Sequence, residues 1–291
     1  SCYTLDLPDR LERLAEKGFS VAEREAIADS LRRLTNRIIH HENGLWRADA
    51  AKLQTLGERR EQLLAGSSDP LERIYWLQED AKRYGTLPFA GLARAGFIAV
   101  QMLRSLVNVG VFSAADQDAF LRGISTVSGQ LTRDRTALDR ASFLKRYGHL
   151  RPGTYDILSP RYDEAPDLYF NWNEMPAPAE PSPPFALTLP QMREIVRLLK
   201  AHGLEPDPVR LLDFLQAGIE LREQAKFHFS RNLSDILVLI ADYGAGLGFS
   251  RDDMAYCDIG VFRELYTAAV DPVALLASSI GWASFFDSPL V

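Results

Sequence analysis

The sequence predicts a mainly α protein: a multi-helix, bundle-like domain with one long irregular Pro-rich loop and at most a short β-hairpin. Three observations carry that prediction. Apolar residues recur at three- and four-residue steps through much of the chain, the period of a helix face. Capping residues and prolines stand where such runs would begin. Strand-type alternation is scarce and no internal repeat is present.

Taken in order, Ile27, Leu31, Leu34 and Ile38 form one apolar stripe within a predicted helix from Val21 to Trp46. In SSDPLERIYWLQEDAKRYG, Ser68 or Asp69 can cap a helix with Pro70 in its first turn, where the missing N–H does no harm, and Gly85 is expected to end it. Phe89 to Gly110 is apolar almost all round, which predicts a central helix buried by its neighbours. Ser113 with Asp116 resembles a capping pair, with Asp in place of the preferred Glu. A helix-like run ends at Gly148. Between Gly148 and Thr188 the periodicity stops, and prolines gather in EMPAPAEPSPPFALTLP, which reads as a long surface connection. Thr188, Pro190 and Gln191 start another helix, ended by Gly203. Asp207-Pro208 opens a longer run to about Tyr243, roughly 50 Å at 1.5 Å per residue. Two or three short helices fill the remainder, and TYDIL is the β-hairpin candidate. The chain thus divides into a helical part, 1–147, an irregular connection, 148–187, and a second helical part, 188–291, expected to form one compact domain.

Composition narrows the function. A net charge of −6 and a pI near 5.5 argue against a general nucleic-acid or anionic-membrane surface, since phosphate binding needs a basic excess on some face. Cys2 and Cys257 are the two cysteines, and no apolar leader precedes the first helix, so the expectation is a reduced, cytoplasmic protein without structural zinc. No unbroken run approaches the roughly 18 apolar residues of a membrane span. The chain starts without Met and stops in apolar sequence, which reads as a portion of something longer.

Several motifs fail on inspection. YGAGLGFS follows a helix pattern rather than a strand and lacks the spacing and Lys of a phosphate loop, so it reads as a glycine-rich helix end. The NLS triplet at Asn232 lies in a helical run and is no credible glycosylation acceptor. Adjacent His40 and His41 point about 100° apart on a helix, unlike the i, i+4 pair of a helical metal site, so no metal is expected. No G-x-S-x-G elbow or cysteine nucleophile context is present.

Two polar constellations remain. In FLKRYGHLRPGTYDILSPRYDE, His149, Arg151, Tyr155, Asp156 and Arg161 crowd irregular backbone. Arg offers a planar fork for carboxylate or phosphate, while His149 or Asp156 could orient or accept a proton, making these two the catalytic candidates. An Arg–Asp pair bracing the loop is the competing reading. The second constellation is IELREQAKFHFSRNLSDIL, where Arg222 with Lys226, and Arg231 with Asp235, are four apart and share a face. Glu223 could neutralise Lys226 on a solvated face. Arg94, on the apolar helix, is expected to need a partner if buried, which suggests a polar pocket inside the helical body. The predicted substrate-binding set is therefore Arg94, Arg151, Tyr155, Arg161, Arg222, Lys226 and Arg231.

KRYGHLRPGTYDILSPRYDE, ERIYWLQEDAKRYGTLPFAGLARAGFIAVQMLRSLV and AKFHFSRNLSDIL together resemble the central region of phosphoenolpyruvate synthase-like phosphotransferases. The nearest subgroup is the glutamine kinase-like enzymes of surface-polysaccharide loci, with rifampin phosphotransferases more distant. The Gly-His-x-Arg-Pro-Gly-Thr-Tyr-Asp segment carries most of the likeness. The resemblance implies a full-length enzyme in which an ATP-grasp domain, using ATP and Mg, phosphorylates a His on a swivelling domain. That phosphohistidine then passes its phosphoryl group to a small acceptor, such as the glutamine amide. Neither the nucleotide domain nor the phosphohistidine motif lies in this chain. It would be the linker and acceptor-side portion, carrying no cofactor and not catalytic by itself, with those two domains and the acceptor as its partners. A helical spacer between mobile domains, or an interaction module without a small-molecule site, is the alternative.

Overall fold

The computed structural model describes residues 2–66, 69–174, 185–205 and 207–286, with side chains placed as far as Gly281. It is built of helices: α1 Leu7–Ala15, α2 Val21–Ile39, α3 Leu45–Ala65, α4 Pro70–Asp80, a π-helical segment Ala81–Thr86, α5 Leu87–Asn108, α6 Ala114–Arg122, α7 Val127–Ala137 and α8 Arg140–Tyr147. After a long loop come α9 Pro166–Tyr169, α10 Leu189–Ala201, α11 Pro208–Gly246, α12 Arg251–Ala255, α13 Gly260–Thr267 and α14 Pro272–Phe286. The described residues contain no strand, and the proposed hairpin at TYDIL is a succession of turns. Residues 175–184 of the Pro-rich stretch, and Ser68 as a candidate cap, lie outside the described residues.

Helix starts follow the capping chemistry. Asp69 accepts the Leu71 N–H at 2.8 Å ahead of Pro70. Ser113–Asp116 and Thr188–Gln191 form reciprocal capping boxes at α6 and α10. Ser20–Glu23 and Ser250–Asp253 do the same for α2 and α12, the latter after the YGAGLGFS turn, where Gly248 takes a φ of +90°.

Two predicted boundaries move. The helix expected to reach Trp46 ends at Ile39, where His40 leaves the helical conformation with ψ at 131° and its Nδ1 accepts the N–H groups of Glu42 and Asn43 at 3.2 and 3.1 Å. Apolar periodicity resumes in α3, which hid the break. Gly85 does not end its helix: the chain widens into the π turn and continues as α5. Glycine is required there for another reason, since a Cβ would sit 2.8 Å from the Cβ of Phe229. The uninterrupted stretch Pro70–Asn108 is long and apolar enough to cross a membrane by composition, against the expectation from unbroken runs, although 44% of its most apolar window is packed inside the fold.

By packing, the chain forms two compact units, each drawn from three separate stretches rather than from the sequential parts 1–147 and 188–291. The first takes its described residues from Ser1–Lys52, Leu87–Gln130 and Pro178–Lys226. Its core combines Leu92, Ala95, Ala99, Met102 and Leu106 of α5 with Ile195 and Leu199 of α10 and Leu211, Phe214 and Leu215 of α11. Here α5 and α11 touch backbone to backbone: a Cβ on Gly218 would lie 3.1 Å from the Ala95 carbonyl oxygen, and one on Gly96 would lie 2.9 Å from that of Gly218.

The second unit takes its described residues from Leu53–Thr86, Leu131–Ala177 and Phe227–Val291. Its apolar core joins Ile74 and Leu77 of α4, Ile236 and Ile240 of α11, Met254, Phe262, Leu265 and Leu276, with Ile157 of the long loop inserted among them. Burial of Ile157 anchors the loop's middle, worth roughly 1.5–3 kcal/mol for such a side chain.

Candidate functional site

The loop after α8 folds back on itself. Tyr162 donates its N–H to the Leu150 carbonyl at 2.8 Å, and Asp163 donates to that of Gly148 at 3.2 Å. Gly148 permits this, because a Cβ there would lie 2.8 Å from Asp163 Cβ. The closed loop carries Arg151 inward, only 6% exposed. Its guanidinium donates to the carbonyls of Asp156 and Ser159 at 3.2 and 3.1 Å and to Ser234 Oγ on α11 at 3.2 Å. No carboxylate forms an ion pair with it among the described residues. Burial pushes its pKa down, the expected direction for a cation held by neutral partners.

Around it lie three further guanidinium groups. Arg161 bridges Asp163 at 2.6 Å and Asp235 at 3.0 Å. Burial opposes its charge, but the bonds to Asp163 and the Asp235 charge outweigh that and raise its pKa. Arg60 of α3 takes the other oxygen of Asp235 at 2.6 Å. Arg231 does not pair with Asp235 as expected from their spacing. It donates instead to the Arg146 carbonyl at 2.7 Å and stacks over the Phe227 ring at 5.1 Å, and burial followed by the nearby Arg60 lowers its pKa.

His149, also 6% exposed, meets the Phe227 ring edge-on with centroids 4.8 Å apart. Burial and then the charges of Arg231 and Arg161 hold its pKa down to about 2, against which a hydrogen bond to the Phe227 backbone works weakly. It is therefore a neutral imidazole at ordinary pH. Among the described residues its Nε2 has no partner, nor do the Nε–H groups of Arg151 and Arg231 or Oδ1 of Asn232, all of them buried atoms. Buried polar groups are nearly always satisfied, so such atoms on four residues of this unit call for an explanation, although others occur, as at Trp46 and Trp172. Beside them, Tyr147 donates to Asp134 at 2.7 Å, and burial with that bond pushes its pKa up to about 12.

The structure thus brings His149, Arg151, Arg161 and Arg231 into one unit around the second half of α11. Two loop candidates stay outside the centre. Tyr155 is 71% exposed, and Asp156, also exposed, uses Oδ1 to accept the Leu158 N–H at 2.8 Å. Arg94, Arg222 and Lys226 belong to the first unit and are exposed. Arg94 is therefore not the buried cation expected from its apolar surroundings, because it lies on a flank of α5 that its neighbours leave open. Arg222 stacks over Phe97 at 5.6 Å. Glu223 does not neutralise Lys226 but accepts the Val127 N–H at 3.0 Å, capping α7 together with Glu220, which accepts from Ser125.

Sequence reasoning missed Arg60, Ser234 and Asn232. The available signal was the polar run in NLSDIL, whose Asn232, Ser234 and Asp235 fall on the buried face of α11. Among the described residues no group of three or more His, Cys, Asp or Glu side chains could hold a metal. The centre does not suit a cation: it is rich in guanidinium groups, and both oxygens of Asp235 are engaged. Searches of protein-family models, curated proteins and solved structures return no match to this chain.

Proposed function

We propose that this chain is the central, acceptor-side region of an ATP-dependent dikinase-like phosphotransferase, and that the centre around His149 receives an anionic group during phosphoryl transfer to a small acceptor. The resemblance of the Gly-His-x-Arg-Pro-Gly-Thr-Tyr-Asp segment supplies the reaction class. One observation supports it: buried Arg151 and half-buried Arg231 make no ion pair with a carboxylate among the described residues, and each has a buried Nε–H without a partner there, as has Nε2 of the neutral His149 imidazole. A transferring phosphoryl group spreads charge over its oxygens, and fixed cations with free donors are what stabilise it. The neutral Nε2 can accept a hydrogen bond from the acceptor group and so orient it, but a pKa held down to about 2 makes it no general base. Arg161, already matched by two carboxylates, serves as the brace that holds Asp235 and the loop. This pairing also favours the second reading, a helical spacer with no small-molecule site.

The two readings separate by titrating inorganic phosphate, then glutamine, into the chain and following the Arg Nε resonances. Acceptor-side binding, expected at a millimolar Kd for an incomplete site, shifts Arg151 and Arg231 and leaves Arg59 and Arg197 still. No shift at tens of millimolar phosphate would support the spacer. In the full-length enzyme, Arg231→Lys should depress acceptor phosphorylation while ATP-dependent histidine phosphorylation persists. Loss of both would count against the assignment.

A further inference from the structure

The first unit holds an open groove of about 790 Å³ between α1, α2 and α5, remote in chemistry from the guanidinium centre. Its floor is apolar: Leu7 and Leu11 of α1, Ile27 and Leu31 of α2, and Ile98 of α5. On α5 the lining positions are 90, 93, 94, 97, 98 and 101, a row at three- and four-residue steps extending over about 16 Å. Such a row is the face that one helix offers another. The opposite face of α5, through Leu92, Ala95, Ala99, Met102 and Leu106, is the one consumed by the core.

We infer that this groove docks an amphipathic, acidic helix of another polypeptide. Three features select that occupant. Phe97 stands 63% exposed in the middle of the row, and a large aromatic anchor at the centre of a concave apolar site is what a partner's pocket or leucine pair covers. Ala90 and Ala93 carry only methyl groups, so a second helix can approach closely at that end. Arg10 and Arg94, one on each wall, are exposed and make no ion pair with a carboxylate among the described residues; Asp6 lies within electrostatic reach of Arg10, while Arg94 keeps its positive charge for acidic residues flanking the partner's apolar stripe. The mode is helix-in-groove recognition, with anchors at i, i+3, i+4 and i+7. It stands independently of the proposed anion centre, which lies in the other unit.

The test uses a fluorescein-labelled helical peptide of about 14 residues with leucines at those anchors and glutamates beside them, and a twin with lysine for every glutamate. Binding to the 291-residue chain is read by anisotropy. The acidic peptide should bind at least about tenfold more tightly than its lysine twin. Phe97→Asp should weaken it by a similar factor, and because Phe97 is exposed, the variant should keep its helical circular dichroism. Arg10→Glu with Arg94→Glu should reverse the preference between the twins. Equal binding of both peptides, no binding, or indifference to Phe97→Asp would overturn the inference. So would a concentration-dependent dimer, seen by light scattering and dissolved by Phe97→Asp, since the groove would then belong to a second copy of the chain.

Discussion

Along α11, the residues before Lys226 and those after Phe227 fill their cores in different ways. The first half contributes Leu211, Phe214, Leu215, Gly218 and Ala225, apolar or small, and meets α5 through a glycine contact close enough for backbones to touch. The second half buries Ser230, Asn232, Ser234 and Asp235 along with Phe229, Ile236 and Ile240. One continuous helix therefore supports two kinds of interior. The apolar half tolerates nothing larger, whereas the polar half depends on every partner being present. Directional polar contacts are concentrated where the sequence departs from simple amphipathicity.

The largest expected effect comes from removing the hub of the polar half. Asp235→Ala strands Arg60 and leaves Arg161 with Asp163 alone, and should cost about 3–5 kcal/mol, the range for breaking a buried ion pair, measured by urea denaturation. A loss under about 1 kcal/mol would show that solvent reaches the centre. In the apolar half, Gly218→Val places methyl groups against the Ala95 carbonyl and Ala99, at 3.1 and 3.2 Å from the new Cβ, and should cost about 1–3 kcal/mol by overpacking. A neutral result would mean that the two helices part easily.

Acidification sharpens the comparison next. His149 is held neutral in the folded state, with a pKa of about 2 against an ordinary 6.5, so the unfolded chain takes up the proton first. Stability contributed by this group is complete above pH 6.5 and falls as pH drops below it, by up to about 1.4 kcal/mol per pH unit. His149→Asn should flatten that part of the stability profile between pH 6.5 and about 4.5. Unchanged slopes would refute the buried, neutral imidazole. Smallest is Glu223→Ala in the first half, which removes a cap on α7 and should cost about 1 kcal/mol by thermal unfolding.

Much of the fold was legible because its signals are local. Asp69 before Pro70, Ser113 with Asp116 and Thr188 with Gln191 each announce a helix start through side chain and backbone only a few residues apart. The break at His40 and the passage through Gly85 were hidden, since one depends on a histidine accepting two backbone N–H groups and the other on the approach of Phe229, far along the chain. At the candidate site, Arg151 and His149 were found from residue type and loop composition. Their partners were not. Asp235 is shared by Arg60 and Arg161, 175 and 74 residues away, and the i, i+4 spacing to Arg231 suggested a pair that the fold does not make. Arg94 misled for the opposite reason: apolar neighbours in sequence do not ensure burial when one flank of the helix remains open.

The capping box at α10 has a consequence for anyone redesigning the chain. Gln191 does more than close its own helix start: its amide also donates to Asp116 at 3.2 Å, the acid that closes α6. Consensus rules would replace this glutamine with glutamate, the favoured residue at that position. Here the exchange would set two anions face to face and unpick both helix starts together, so an improvement by family statistics would act as a lesion.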